Sequence, residues 1–216
     1  MRIAAVLLFL LPIVQASAQE SLETKLVVTQ EGRETGQEEF TLKQGRGRGA
    51  PGSTLTAVSR YPATNPMLKV AATLERTPEF ALAKFQLDVE GPNGTTVILA
   101  AGSGARLIVR TVAKGSEAGR ELPGGPDVVL LDEAVYSLYT SVADLATPAG
   151  KFLTGVFPRT SRRVSFVARR EAGGGTGATR VTLSGDINGT LATDTKGRLQ
   201  RLEFPGSGIL VTRAQD

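Results

Sequence analysis

A chain of 216 residues with no cysteine and no histidine lacks disulfides, the usual zinc, copper and haem ligands, and any Cys–His or Ser–His catalytic pair. Its 25 Lys and Arg against 21 Asp and Glu leave a net charge of +4, with 5% aromatics and no Trp. That mild excess is unlike the basic stripe and stacking aromatics of nucleic-acid binders, so no nucleic-acid partner, metal or cofactor is expected.

The chain opens with Arg2, an apolar run from Ala4 to Val14, and small residues at Ala16-Ser17-Ala18. A positive start, a short apolar core and an A-x-A site predict a secretory signal peptide, cut after Ala18. The apolar core is too short for a comfortable membrane span, so no transmembrane segment is expected after cleavage. Residues 1–18 are thus read as the signal and 19–216 as one domain, periplasmic or secreted. About two hundred residues suffice to bury a core without staples.

Period-two alternation dominates the rest of the chain. Lys25–Gln30 and Glu38–Lys43 read as paired strands. Gly45 to Ser53 reads as a long hairpin loop. Leu68, Val70, Ala72 and Leu74 alternate with polar neighbours, as do Phe85, Leu87 and Val89, which predicts strands with one wet face. Asn93-Gly94 supplies the positive φ angles of a tight hairpin into Val97–Ala100. Lys114 to Asp127 reads as a loose segment.

Val128–Leu131 then reads as a buried strand, with Asp132 as N-cap of the element behind it. Val135, Leu138, Tyr139, Val142 and Leu145 recur at helical spacing, an amphipathic helix of about three turns that Pro148 and Gly150 end. Strands resume at Phe152–Phe157 and Arg162–Arg170, followed by a glycine-rich turn at Gly173–Gly177. Val181–Ser184, Thr190–Thr193, Arg198–Phe204 and Ile209–Thr212 complete the series, with Asn188-Gly189 and Asp194–Gly197 as turns. Both Asn-Gly sites also match the glycosylation sequon, but the turn suffices to explain them.

The predicted fold is mainly β: a single antiparallel curled sheet, half-barrel or β-barrel, of about eleven strands with one central amphipathic helix in its concave face. An exported start, paired N-terminal strands, a mid-chain helix and the ending Gly197-Arg198-Leu199-Gln200-Arg201-Leu202-Glu203-Phe204-Pro205 give the chain an architectural likeness. It resembles uncharacterised bacterial envelope proteins of the broad lipoprotein-carrier and DUF3108-like half-barrel type. Carriers of that type hold acyl chains between sheet and helix, so the resemblance implies a hydrophobic or lipid-like ligand.

The chemistry-bearing residues narrow the choice. Ser103 and Ser207 sit between glycines, but neither completes G-x-S-x-G and no histidine could serve as base. Asp88 and Glu90 share one strand face, which Lys84 and Gln86 mark as solvated. Arg159, Arg162, Arg163, Arg169 and Arg170 cluster, and arginine forks suit phosphate and carboxylate head groups. The candidate site is therefore Val135, Leu138, Tyr139 and Val142 lining an apolar pocket, with Arg159, Arg162 and Arg163 at an anionic head group. No catalytic residue is expected. The expected function is a non-enzymatic binder or carrier of an apolar or amphiphilic ligand in the cell envelope. The alternatives are an interaction module with a protein partner and no small ligand, and a carboxylate-dependent hydrolase.

Overall fold

The computed structural model describes residues 23–45, 52–171 and 178–214. The expected signal peptide and most of both glycine-rich loops lie outside them. Two antiparallel meanders make one sheet. The first runs β1 (Thr24–Gln30), β2 (Arg33–Gln44), β3 (Ser53–Tyr61), β4 (Leu68–Arg76), β5 (Leu82–Gly91), β6 (Gly94–Ser103), β7 (Arg106–Ala113) and β8 (Ser116–Pro123). The second runs β10 (Lys151–Phe157), β11 (Arg162–Arg170), β12 (Thr179–Gly185), β13 (Gly189–Thr193), β14 (Leu199–Phe204) and β15 (Ile209–Arg213). β1 pairs antiparallel with β15 and welds the halves. Between them come β9 (Val128–Leu130), a 3₁₀ turn (Tyr136–Tyr139) and α1 (Thr140–Leu145).

Three features differ from the expected fold. Among the described residues there are 15 strands, not about eleven. Ser116–Pro123 is a strand inside the expected loose segment, and Ser53–Tyr61 and Arg106–Ala113 are strands as well. Polarity hid the first: β8 is almost wholly exposed, so no apolar face marks it. Secondly, β9 pairs with β10 in parallel, which makes the sheet mixed. The helical segment lies between these two strands in sequence and supplies the long crossover that parallel neighbours need. Thirdly, the sheet is open, with β8 and β9 as its edges. Its ends approach without pairing: Arg120 on β8 donates to the Pro158 carbonyl at 3.2 Å and to the Ser161 hydroxyl, both on the β10–β11 turn.

Alternate residues of each strand point to the concave face, and these form the core. Leu26, Phe40, Leu55, Val70, Phe85, Ile98, Phe166 and Leu202 are buried there. The helix lays Leu138 and Val142 on this surface, both fully buried. Charges of matching parity fix its position. Arg76, two residues beyond Leu74 on the inward face of β4, donates to Asp144 at 2.5 Å. Arg170, two beyond Ala168, donates to the Ala143 carbonyl at 3.2 Å, near the C-terminal end of α1 where a cation is favourable. Arg170→Met should therefore lower stability by about 1.5–3 kcal/mol, the usual worth of a hydrogen bond to a charged group. An unchanged urea midpoint would refute that role.

Gly36 on β2 shows the same close fit. A Cβ there would lie 2.2 Å from the Tyr61 ring, so only glycine lets that ring settle across the strand. From there the Tyr61 hydroxyl donates to the Ala134 carbonyl at 3.0 Å, tying β3 to the loop before the helix.

Candidate functional site

The loop from Leu131 to Val135 leaves the edge strand β9 and must turn sharply into the helix. All of its residues but Glu133 are buried, so their backbone polar groups need partners. Asp132 is 1% exposed; its Oδ1 accepts from the Ala134 N–H at 2.8 Å. Both Asp132 oxygens accept from Arg159, each at 2.9 Å, a bidentate pair of the strong kind. Asp132 is therefore a loop lock and not the helix N-cap expected from sequence.

The group that meets the helical N-terminus is Glu38, from the other meander. It accepts from the Tyr136 N–H at 2.7 Å and the Ser137 N–H at 2.9 Å. Glu38 is fully buried, and burial pushes its pKa up to about 7 although the Ser137 and Tyr136 donors pull the other way. Sequence reasoning passed over it. The signal was its parity: Glu38 shares a strand face with Phe40 and Leu42, which are apolar.

Beside this locked loop opens a cleft of about 520 Å³. Its apolar side is Tyr139, Phe157, Ile187 and Phe204, with Tyr139 and Phe204 stacked at a tilt, 5.3 Å between centroids. Its polar side includes Glu133, Arg162 and Asp186. Arg162 lies 4.0 Å over the Phe157 ring and donates to Glu133 at 3.0 Å. Burial raises the Tyr136 phenol to about 12 and the Tyr139 phenol further, so both remain neutral hydroxyls. A second depression of about 310 Å³, with Val28, Leu68 and Arg159, adjoins the first; Glu133, Tyr136 and Ile209 line both.

The expected site residues divide accordingly. Val135, Leu138 and Val142 are 0% exposed, packed between helix and sheet with no room for a ligand. They are core, because the concave sheet curls closely enough to cover that part of the apolar stripe. Tyr139 alone of the four lines the cleft. Arg162 stands at the cleft, and Arg159 borders the second depression while it holds Asp132. Arg163 is exposed and has the outward parity of β11, which turns it away from both. Asp88 accepts from Gln86, and Glu90 pairs with Lys69 at 3.4 Å, as a solvated strand face would. Among the described residues no three acidic groups gather as a metal site, and no helix is long and apolar enough to cross a membrane.

No family model matches the chain, and no curated protein does. A solved structure, the crystal structure of a DUF1089-family protein from Pseudomonas aeruginosa, is similar with a TM-score of 0.53 at 13% identity, over 80% of this chain and 90% of that one. At that identity the likeness concerns the fold alone.

Proposed function

We propose that this is an exported, non-enzymatic binding protein of the bacterial cell envelope, whose ligand is amphiphilic and seats in the cleft beside Tyr139. One observation carries the reading: an aromatic wall of Tyr139, Phe157 and Phe204 faces a charged rim in an open cavity of about 520 Å³. Apolar surface with a few placed polar groups, in a volume of this size, is what small-molecule sites have. The seat is not the one that a carrier holding chains between helix and sheet would use, because that interface is filled. The cleft suits one chain or a ring system with its polar end at Arg162. A likeness to the lipoprotein-carrier type, and the signal sequence at the N-terminus, agree with an envelope role. The absence of histidine and cysteine from the chain supports binding over catalysis.

Native mass spectrometry of the protein purified from its own envelope should show a co-purified amphiphile. Ser207→Trp should displace it, since Ser207 is exposed at the cleft and its replacement leaves the core intact. A bare protein that also fails to bind alkyl phosphates, alkyl glycosides and alkylammonium ions would end this reading. An interaction module would then lead. Ile108 and Val112 favour it, for they are 46% and 37% exposed on the convex face of β7, next to the unpaired edge of β8.

A further inference from the structure

Two successive acidic residues on the Leu131–Val135 loop each pair with an arginine of the β10–β11 region, and the two pairs are built differently. Asp132 and Arg159 form a bidentate contact in which the carboxylate is 1% exposed. Glu133 and Arg162 form a single hydrogen bond of 3.0 Å, with side chains 51% and 46% exposed. The first pair anchors the backbone. The second stands in water at the cleft mouth, where an exposed ion pair is worth little and exchanges readily.

The position of Glu133 gives this difference a consequence. Its side chain lines both depressions, so it stands at the divide between them. Its carboxylate occupies the Arg162 guanidinium, which itself sits over the Phe157 ring in the cleft wall. Arg162 is the one cation lining the larger cleft, among the described residues. A ligand anion that sought it would meet Glu133 already in place.

We infer that Glu133 is a built-in competitor: its carboxylate fills the anion position on Arg162, and an anionic amphiphile binds by displacing it. The inference rests on the amphiphile reading and names the ligand's charge and the residue that sets its affinity. Binding then needs no rearrangement of the loop, because Asp132 keeps the backbone fixed while the Glu133 side chain swings away. The ligand's anion takes the Nη2 hydrogen bond and gains the free N–H donors of the same fork, which Glu133 leaves unused.

The test is a titration of three single-chain probes of equal chain length, an alkyl phosphate, an alkyl glucoside and an alkyltrimethylammonium ion. They are titrated into the wild type, Glu133→Gln, Arg162→Gln and Asp186→Asn. Glu133→Gln should tighten the phosphate by about two- to fivefold, the worth of an exposed ion pair. Arg162→Gln should weaken the phosphate and leave the glucoside within twofold. Asp186 lines the same cleft without touching Arg162, accepting instead from the Ser165 N–H at 2.8 Å. Its removal measures the general effect of net charge and should yield a distinctly smaller gain. Equal gains in Glu133→Gln and Asp186→Asn would overturn direct competition while leaving the amphiphile reading standing. Tightest binding of the ammonium probe by wild type would overturn it too. If no probe binds any variant, the amphiphile reading itself fails and the competitor role falls with it.

Discussion

Wild-type protein should lose stability as the pH rises from 5 to 8, and Glu38→Gln should not. A carboxyl with a folded pKa of about 7 and an ordinary value near 4.5 binds its proton more tightly in the folded state. Its contribution is fully present below about 4.5 and is lost as the pH passes through 7. The gap corresponds to about 3 kcal/mol, a large part of a domain's margin. Glutamine is neutral throughout and removes that slope, keeping one amide oxygen for an N–H of the Tyr136–Ser137 pair. Glu38→Ala keeps neither acceptor. It should cost about 3 kcal/mol at pH 5, because two buried donors at the helical N-terminus are left unpaired.

The neighbouring groups do not blur the window. Tyr61 and Tyr136 titrate far above it, both raised by burial. Asp194 moves the other way: burial would lift it, but Arg198 and the Lys196 and Arg198 N–H groups hold it below 3.8. That carboxylate stabilises the fold above its unfolded value and loses that effect as the pH falls below it. Urea midpoints measured every half unit would separate the two. Parallel profiles for wild type and Glu38→Gln would show that the buried carboxyl is not the source.

Much of this fold was legible from alternation, and the parts that were not share a cause. Strands such as Phe85–Val89 and Val164–Ala168 announce themselves because one face is apolar and the other wet. β8 carries Ser116, Glu117, Gly119, Arg120 and Glu121, and pairs on one edge only; a strand that buries so little writes no pattern. The parallel β9–β10 pair was implicit in a strand, helix and strand in succession, yet the surrounding hairpins argued for antiparallel pairing. The helical segment falls inside the predicted stretch, but as a 3₁₀ turn and a six-residue α-helix in place of three helical turns, and the stripe that predicted it could not say whether a ligand or a sheet covers it. Burial of Val135, Leu138 and Val142 answers that with the sheet.

The inward charges teach the opposite lesson. Glu38, Arg76, Arg162 and Arg170 each lie at i+2 or i−2 from a buried apolar residue of the same strand, so their direction was readable by counting. A charge on the apolar face of a strand is costly unless paired, and it marks a place where something polar crosses the core. Here the crossing element is the helix. Glu38 meets its start, Arg170 and Arg76 its end, and Arg162 looks into the cleft beside it. What parity could not give was the partner of each, since Glu38 and Ser137 are 99 residues apart.

Breaking the loop lock should cost at least as much as removing Glu38. Removing one partner of a buried, bidentate pair leaves an uncompensated charge, at about 3–5 kcal/mol. Asp132→Ala should approach the lower end of that range, because Arg159 keeps about a quarter of its side chain in water and can partly re-solvate. Arg159→Met should cost at least as much, since Asp132 is 1% exposed and retains only the Ala134 N–H. The double variant removes both charges and should cost no more than either single variant, which gives a coupling of about 3 kcal/mol in a double-mutant cycle. Additive costs would mean that each residue acts alone and that the loop is held by Tyr61 and Glu38 instead. The pair also bears on the cleft: without Asp132 the loop is no longer fixed where it presents Glu133 to Arg162. Asp132→Asn, which keeps an acceptor for Ala134, should therefore bind the alkyl phosphate more tightly than wild type even where its stability loss is small. Unchanged affinity in that variant would separate the lock from the competitor and leave Glu133 positioned by its own contact alone.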